Sequence, residues 1–494
     1  MPASGPAGTV SRAPSVGVLE IASATLGLVS ISLILFAYER ALIPLYGSGP
    51  TTYLLNKIVL ATVLLAAVIS LNTTRTWLYT AIALAAAPNA TYWGAVWTSR
   101  MKDPVVGPAL THAVVLAPLI FFLTTSVVGA KLTPTDRQHS SASVPFSSRV
   151  IAAGVTFLVG RRLSQRVWSN LELLNNISES QFYLVLAGLS WCLYICKSSF
   201  PLASPKRKGL SLSEIQIKSI LVVAFVAFWG STYEKLSSPV LPHPLKETFT
   251  HPNAPIQVHF SVQSVTGLIV VGEVLPPHGY DGQADQVMHS LRYLRASHSL
   301  LGGVWTESKV HTLDDEPPVI DSLGKQLGDS IYSTFVLQEA VRLVNSTERG
   351  KAESIEHVLV IGLGTGISAT AFSRHGLSTT IVEIDPAVYD AARRFFGLPN
   401  PGPGNVFLED ARGWAANKRD SIQAGNKETL YDIVVHDCFS GGGVPEHIFT
   451  VEFWKDLKMV MQPEGIVVVV STIRLPRALR SSLRGTELRR DPQD

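Results

Sequence analysis

A run of glycines after an apolar segment is the part of this sequence whose residue types and spacing point most directly to chemistry. Residues 358–366 read VLVIGLGTG, so a β-branched apolar run leads into Gly362, Gly364 and Gly366. Such a run is typical of a buried parallel strand, and glycines after it let the backbone turn tightly and approach a ligand at the next helix. The pattern predicts a ligand-binding loop.

A second apolar segment, TTIVEID, ends in Glu383 and Asp385. A carboxylate at this strand tip can accept hydrogen bonds from two ribose hydroxyls, which indicates an adenosine-type cofactor. Position 367 is isoleucine, so the dinucleotide pattern G-x-G-x-x-G is not met. G-x-G-x-G followed by an acidic strand end is instead the pattern of S-adenosylmethionine-type enzymes. The alternative is a tight strand-to-helix turn that binds no ligand.

Three further segments should position these residues. NVFLEDARGW predicts a strand ending at Asp410, YDIVVHD predicts one ending at Asp437, and EGIVVVV predicts a fifth. Strands that alternate with helices favour an α/β fold with a doubly wound parallel sheet, which binds ligands at the carboxyl ends of its strands. We therefore expect Gly366, Glu383, Asp410 and Asp437 to meet at one edge of the sheet.

The residues before this sheet predict a β-hairpin subdomain over 256–330. Apolar residues alternate from Ile256, a turn is expected at Thr266-Gly267, and LIVVGEV follows. RYLRASHSLLGG and VWTESKVHTL form a second pair, and DSIYSTFVLQEAVRLV has helical spacing. The Pro-rich residues 236–255 are interpreted as a linker, and the nucleotide-binding domain is placed at 331–471.

The N-terminal half is predicted to be a membrane region. Only 16% of the chain is charged, against about 25% in an average soluble domain. Residues 1–17 are interpreted as disordered, and residues 18–235 as six to eight helical spans that anchor the protein rather than transport a solute. The candidate segments lie near 18–38, 53–71, 77–97, 105–130, 149–160, 182–200 and 215–233.

The orientation of these spans depends on their number. The segment at 149–160 is too short to cross a bilayer by itself, and a cytosolic cofactor favours an even number of spans. The C-terminal domain is then expected in the cytosol. If there are seven spans, the basic loops around Lys131 and Lys206 are cytosolic and the C-terminal half faces away.

Charge and cysteine usage exclude several other classes. The net charge of +3 does not suggest a nucleic-acid partner. The three cysteines, Cys192, Cys196 and Cys438, have neither disulfide nor metal-ligand spacing. Cys192 and Cys196 are interpreted as packing residues of a membrane helix.

Residues 256–470 resemble the spermidine/spermine synthase family, the aminopropyltransferases, and most closely a subgroup with an N-terminal membrane region. The resemblance rests on the hairpins, then DSIYSTF, GLGTG, VEID, LEDARGW, YDIVVHD and PEHIFTVEFW. It implies a methyltransferase-like nucleotide fold and polyamine biosynthesis, with decarboxylated S-adenosylmethionine as donor, a diamine such as putrescine as acceptor, and no metal. The expected partners are the lipid bilayer, the small-molecule amine and a second copy of the chain.

The family's cofactor-binding roles fall on five residues of this sequence. By this resemblance Gly362, Gly364 and Gly366 face the aminopropyl end of the donor. Glu383 holds the ribose, and Asp410 holds the adenine amine.

Two catalytic roles also follow from the resemblance. Asp437 matches the acid that positions and deprotonates the attacking amine, and Tyr332 matches a tyrosine of the substrate pocket. A protonated amine is not a nucleophile, so a carboxylate that takes up its proton is chemically required.

The sequence departs from the family where further acids are usual. Thr365 and Ser440 stand where two acids are usual, Gly328-Asp329 replaces the Asp-Glu pair before Tyr332, and Thr306 stands at the position of a glutamine. Because a dicationic acceptor requires several carboxylates, these losses argue against ordinary putrescine chemistry. His436 or Glu446 could compensate for the missing acids. The alternative is that His436 is an ordinary side chain at a strand end and that Glu446 only starts a helix.

Three functions therefore stay open at this point. The first is a membrane-anchored aminopropyltransferase, and the second is a methyltransferase that uses intact S-adenosylmethionine. The third is a nucleoside-binding regulatory or scaffold protein that has lost its chemistry. The Arg-rich residues 472–494 are interpreted as an atypical basic tail that lacks the usual final strands.

Overall fold

The computed structural model describes most of the chain. The described residues are 18–69, 71–130, 145–198, 212–236, 241, 243–276, 290–306, 317, 319–332, 341, 344, 355–438 and 444–470. The predicted N-terminal disorder and the basic tail lie outside these residues, as does most of the helix predicted from DSIYSTFVLQEAVRLV.

Seven long helices make up the described part of the N-terminal half. They are α1 (Val18–Tyr46), α2 (Ser48–Val68), α3 (Thr73–Ser99), α4 (Val106–Val128, with a π-helical turn at His112–Leu116), α5 (Phe146–Arg166), α6 (Glu179–Lys197) and α7 (Leu212–Leu236). Each helix overlaps one of the seven segments that the sequence analysis predicted as candidate membrane spans. The fifth is longer than expected, with 21 residues.

Contacts between helix ends show that successive helices alternate in direction. An ion pair of 3.1 Å from Lys197 to Glu20 joins the end of α6 to the start of α1. At the other end of the bundle, Arg40 of α1 donates to the carbonyl of Leu174, which lies between α5 and α6, at 2.8 Å. Residue 18 therefore lies at one end of the bundle. Lys218 near the start of α7 donates to the carbonyl of Cys196 at 3.1 Å, so α7 begins at this same end and runs to the other, which we call the domain end.

Four of these helices are long and apolar enough to cross a membrane. They are Leu19–Tyr46, Ser48–Val68, Val106–Val128 and Ile215–Tyr233. The described residues thus contain seven bundle helices, of which four meet this criterion, and the number of spans stays a prediction. The compartment of the C-terminal domain stays a prediction.

A buried histidine in the bundle has both ring nitrogens occupied by helix neighbours. The Nδ1 atom of His112 lies 2.9 Å from the Tyr38 hydroxyl, and Nε2 lies 2.9 Å from the carbonyl oxygen of Thr51. Because the carbonyl can only accept, Nε2 donates, and Nδ1 accepts from Tyr38. This arrangement joins α1, α2 and α4, and the histidine has no ring nitrogen left for a ligand.

The first sheet is antiparallel and has the strand order β1-β2-β3-β4-β5-β7-β6. Its strands are β1 (Phe249–Thr250), β2 (Ile256–Ser264), β3 (Gly267–Val274), β4 (Ser290–Ala296), β5 (Ser299–Thr306), β6 (Val319–Ile320) and β7 (Gln326–Ser330). The predicted linker thus contributes a strand. The second hairpin turns at Ser297-His298, inside the segment expected as one strand. Asp329 belongs to β7 instead of starting a helix.

A buried ionic network holds this sheet together. The Arg292 guanidinium lies 3.2 Å from a Glu273 carboxylate oxygen, and it also binds Asp321 and the carbonyl of Phe395. All three charged side chains are almost fully inaccessible to solvent. Thr306, the expected glutamine position, donates to Glu273 at 3.3 Å and so belongs to this network.

The second sheet is the predicted parallel one, with the strand order β10-β9-β8-β11-β12. Its strands and the helices between them are β8 (His357–Ile361), α8 (Ile367–Arg374), β9 (Ser378–Val382), α9 (Pro386–Phe395), β10 (Val406–Phe407), α10 (Ala411–Gln423), β11 (Tyr431–His436), α11 (Val451–Met459) and β12 (Met461–Val469). The strand order reverses between β8 and β11. The α/β class with a doubly wound sheet is confirmed.

The parallel strands of this sheet end close to the points where their buried apolar residues stop. Residues 358–361 of β8 are buried on both faces, as their uninterrupted apolar sequence requires. β10 is shorter than expected, because it ends at Phe407. Asp410 therefore does not end a strand but caps α10, accepting from the amide of Arg412 at 2.7 Å.

Candidate functional site

A cavity of about 550 Å³ opens at the carboxyl edge of the parallel sheet. Six of the seven residues predicted for the site line it: Tyr332, Gly362, Gly364, Glu383, Asp410 and Asp437. The antiparallel sheet contributes Thr266, Leu300 and Leu301 to the same cavity. The predicted site is therefore one continuous space between the two sheets.

The glycine loop has no room for side chains at two positions. A Cβ on Gly362 would lie 2.3 Å from the carbonyl oxygen of Asp437, and one on Gly364 would lie 2.8 Å from that of Leu301. Both glycines also have positive φ values, 83° and 54°. The loop thus brings its backbone against both neighbouring walls of the cavity.

Gly366 differs from the other two glycines. It starts α8 with φ 78°, and its Cα faces Leu398 and Ala392 in the core behind the loop. It is not among the cavity-lining residues. Its requirement for glycine comes from the turn into the helix rather than from ligand contact.

Glu383 connects the glycine loop to its own strand tip. Its carboxylate accepts from the amide of Leu363 at 2.8 Å and from the amide of Asp385 at 2.9 Å. Burial raises the pKa of Glu383 to about 7, although these amides partly oppose the shift. A carboxylate has more acceptor positions than these two bonds use, so ribose hydroxyls can still donate to it.

Asp410 has a partner that the sequence did not reveal. One carboxylate oxygen caps α10, and the other lies 2.7 Å from Nε2 of His447. Burial alone would raise the pKa of Asp410, but the hydrogen bond and charge of His447 outweigh it, together with the helix amides, and lower the pKa. His447 also lines the cavity. It lies 37 residues away in the chain, so no local pattern links the two.

Asp437 follows β11 directly and lines the cavity beside the glycine loop. Burial raises its pKa to about 6. Its neighbour Cys438 donates from Sγ to the carbonyl of Ile361 at 3.2 Å, and burial raises the pKa of this thiol far above its usual value. Cys438 therefore lines the cavity as an uncharged thiol. Asp437 lines it as an acid whose pKa is raised to about 6.

The two residues considered as replacements for missing acids lie elsewhere. The ring of His436 packs against Phe449 and Trp454, with centroids 4.8 and 5.1 Å away, and burial lowers its pKa to about 4. Glu446 points to the first turn of α2. Glu409, which sequence reasoning did not select, does line the cavity.

Residues 341–476 match the model of the spermine/spermidine synthase domain. This region contains the glycine loop, Glu383, Asp410 and Asp437, which all lie at the carboxyl edge of the parallel sheet. We call the matched region the synthase domain. The predicted resemblance is confirmed.

Curated relatives of this synthase domain include two kinds of transferase. The chain is 38% identical over 194 residues to the N-terminal histidine N-methyltransferase of Emericella nidulans, which covers 39% of this chain and 32% of that protein. It is 36% identical over 115 residues to the polyamine aminopropyltransferase of Vibrio vulnificus, covering 23% of this chain and 36% of that protein. The chain thus spans about a third of each relative.

A solved structure is also similar to part of the chain. Human Methyltransferase-like protein 13 in complex with SAH is 22% identical and covers 27% of this chain and 63% of that chain, with a TM-score of 0.23. A score this low supports no further argument.

Proposed function

We propose that the synthase domain transfers a methyl group from S-adenosylmethionine to a nitrogen nucleophile. The observation that carries the proposal is the loss of acids at positions where the family has them. Of the positions where the family has acids, Asp437 keeps one and Thr365 is buried against Gly302, while Ser440 lies outside the described residues. Fewer carboxylates around the acceptor suit one nitrogen better than a dication.

The residues divide the chemistry between them. The donor's sulfonium supplies an activated carbon: as nitrogen bonds to it, the carbon–sulfur bond breaks and its electron pair stays on sulfur. Asp437 takes up the proton that the nitrogen loses, and its pKa of about 6 leaves it ionised at neutral pH. Gly362, Gly364 and Glu383 hold the donor at the start of α8.

The donor's amino-acid end distinguishes the two forms of the cofactor. Intact S-adenosylmethionine carries a carboxylate, which an acid at position 365 would repel and the neutral Thr365 does not. The relative from Emericella nidulans is named for methyl transfer to an N-terminal histidine. This supports an amine or imidazole nitrogen of a polypeptide as the acceptor class, with the transferase held at a membrane by the helical bundle.

Aminopropyl transfer from decarboxylated S-adenosylmethionine to an amine is the second candidate. The match to the spermine/spermidine synthase domain and the presence of both Tyr332 and Asp437 in the cavity favour it. Both candidates use the same cofactor site and the same base, so they differ in the group transferred.

The test is to incubate the full chain, purified in detergent, with each donor and a panel of acceptors. Methyl transfer releases S-adenosylhomocysteine, and aminopropyl transfer releases methylthioadenosine, so mass spectrometry distinguishes them. We expect the first product, and loss of turnover in Asp437→Asn. Methylthioadenosine would support the second candidate. Binding of S-adenosylhomocysteine without any turnover would support a regulatory or scaffold role.

A further inference from the structure

The first turn of α2 lies against the loop that closes one side of the cavity. A Cβ on Gly49 would lie 2.8 Å from the carboxylate oxygen Oε1 of Glu446. Glu446 starts a short 3₁₀ helix, Glu446–Phe449, whose residues His447 and Ile448 line the cavity. The helical bundle thus contacts a segment of the site directly.

On its other side, this segment is fastened to the predicted cofactor residues. His447 binds Asp410 through Nε2 at 2.7 Å, and Arg412 donates to the carbonyl of His447 at 3.3 Å. Arg412 also donates to the hydroxyl of Thr450. A displacement of Glu446 would therefore move the hydrogen-bond partner of Asp410.

Two more contacts join the domain end of the bundle to the cavity walls. Pro44 of α1 lies 3.7 Å from the Cβ position of Gly267, in the turn that contributes Thr266 to the cavity. Tyr92 of α3 packs on His298 in the second hairpin turn, with ring centroids 5.2 Å apart. Three separate segments that reach the cavity are thus supported by the bundle.

We propose that α2 is a positioning element of the cofactor site, acting through Gly49, Glu446 and His447 on Asp410. The inference deepens the proposed function, since it requires that the nucleoside of the donor lies against Asp410. The membrane half is then more than an anchor, because the packing of its helices sets how well the soluble half binds its cofactor.

The experiment measures S-adenosylhomocysteine binding to the full chain in detergent by calorimetry. Gly49→Ala should have little effect, because the end of the Glu446 side chain can swing aside. Gly49→Leu should weaken binding about tenfold, as expected for loss of one charge-assisted hydrogen bond. Gly154→Leu is the matched control in α5, where nothing lies within 4 Å of the Cβ position, and it should bind like wild type.

A second variant separates positioning from general damage. Glu446→Ala removes the group that Gly49→Leu displaces, so the double variant should bind like Glu446→Ala alone. At saturating donor, Gly49→Leu should keep its kcat and its KM for the acceptor. Wild-type affinity in Gly49→Leu, or a loss that adds to that of Glu446→Ala, would overturn the inference. If the wild-type chain binds no S-adenosylhomocysteine, the proposed function itself fails.

Discussion

Asp385 accepts two hydrogen bonds from Thr266, one from its amide at 2.9 Å and one from its hydroxyl at 2.6 Å. The second carboxylate oxygen accepts from the Ser264 hydroxyl at 2.5 Å and from the amide of Ala387 at the start of α9. One fully buried side chain thus joins the first hairpin turn to the tip of the second parallel strand. The two sheets that enclose the cavity are fixed to each other at this residue.

Replacing Asp385 by alanine should destabilise the chain by about 3 kcal/mol. The change removes a helix cap and leaves buried donors without their acceptor. Thermal unfolding in detergent is the measurement. Asp390→Asn, which breaks an exposed ion pair in the same helix, should cost less than about 0.5 kcal/mol. Equal losses of stability in the two variants would contradict the role of Asp385 in holding the two sheets together.

Asp437→Asn should lower kcat by about 10²–10⁴-fold, the usual contribution of a general base. The amide is nearly isosteric, so binding of S-adenosylhomocysteine should be retained. In the wild-type protein, kcat/KM should rise with pH as Asp437 loses its proton, with a midpoint near its pKa of about 6. A pH–rate profile for both proteins checks this, and a rising limb that persists in the variant would exclude Asp437 as its origin.

Glu383→Gln should weaken binding of S-adenosylhomocysteine by about 1–3 kcal/mol, because a charge-assisted contact to the ribose is lost. Ribose hydroxyls favour the ionised carboxylate, whose pKa burial raises to about 7. Binding should therefore tighten as pH rises through 7. Calorimetry between pH 6 and 8 should show this trend in the wild type and none in the variant. An unchanged affinity of the variant at pH 8 would mean that the ribose is held elsewhere.

Arg292→Met should destabilise the antiparallel sheet by about 3–5 kcal/mol, because the buried carboxylate of Asp321 loses its cation and that of Glu273 keeps Lys325 and His259 but loses Arg292. Burial alone would raise the pKa of Glu273, but hydrogen bonds from His259 and Lys325 and the Arg292 charge lower it to about 2.

The same network predicts the direction of acid unfolding. Because the folded pKa of Glu273 lies below its ordinary value of 4.5, its stabilisation is present above that pH and is lost as pH falls toward 2. Acid unfolding of Arg292→Met should begin at a higher pH than that of the wild type. For Arg292→Lys, the pH at which unfolding begins should lie between those of the wild type and Arg292→Met. Indistinguishable acid transitions in all three proteins would contradict the importance of the network.

The sequence was sufficient to locate the edge of the site, since strand tips follow from where apolar runs stop. Glu383 and Asp437 lie directly after such runs, and both line the cavity. Gly366 obeys the same pattern, but it serves the turn into α8. A glycine motif records backbone constraints and does not distinguish ligand contact from close packing.

What the sequence could not show depends on contacts between distant segments. His447 reaches Asp410, and Glu446 reaches Gly49, because the chain folds back between them. The buried network around Arg292 likewise joins β3, β4 and the residues beside β6. None of these pairs has a fixed spacing, so periodicity and motifs contain no signal for them.

The seven alternating helices have a consequence for how substrates meet the cavity. If the bundle crosses a bilayer, residue 18 and the cavity lie in different compartments. Donor and acceptor must then both be supplied on the side that the start of α1 never reaches, and a tag placed before α1 reports on the opposite side.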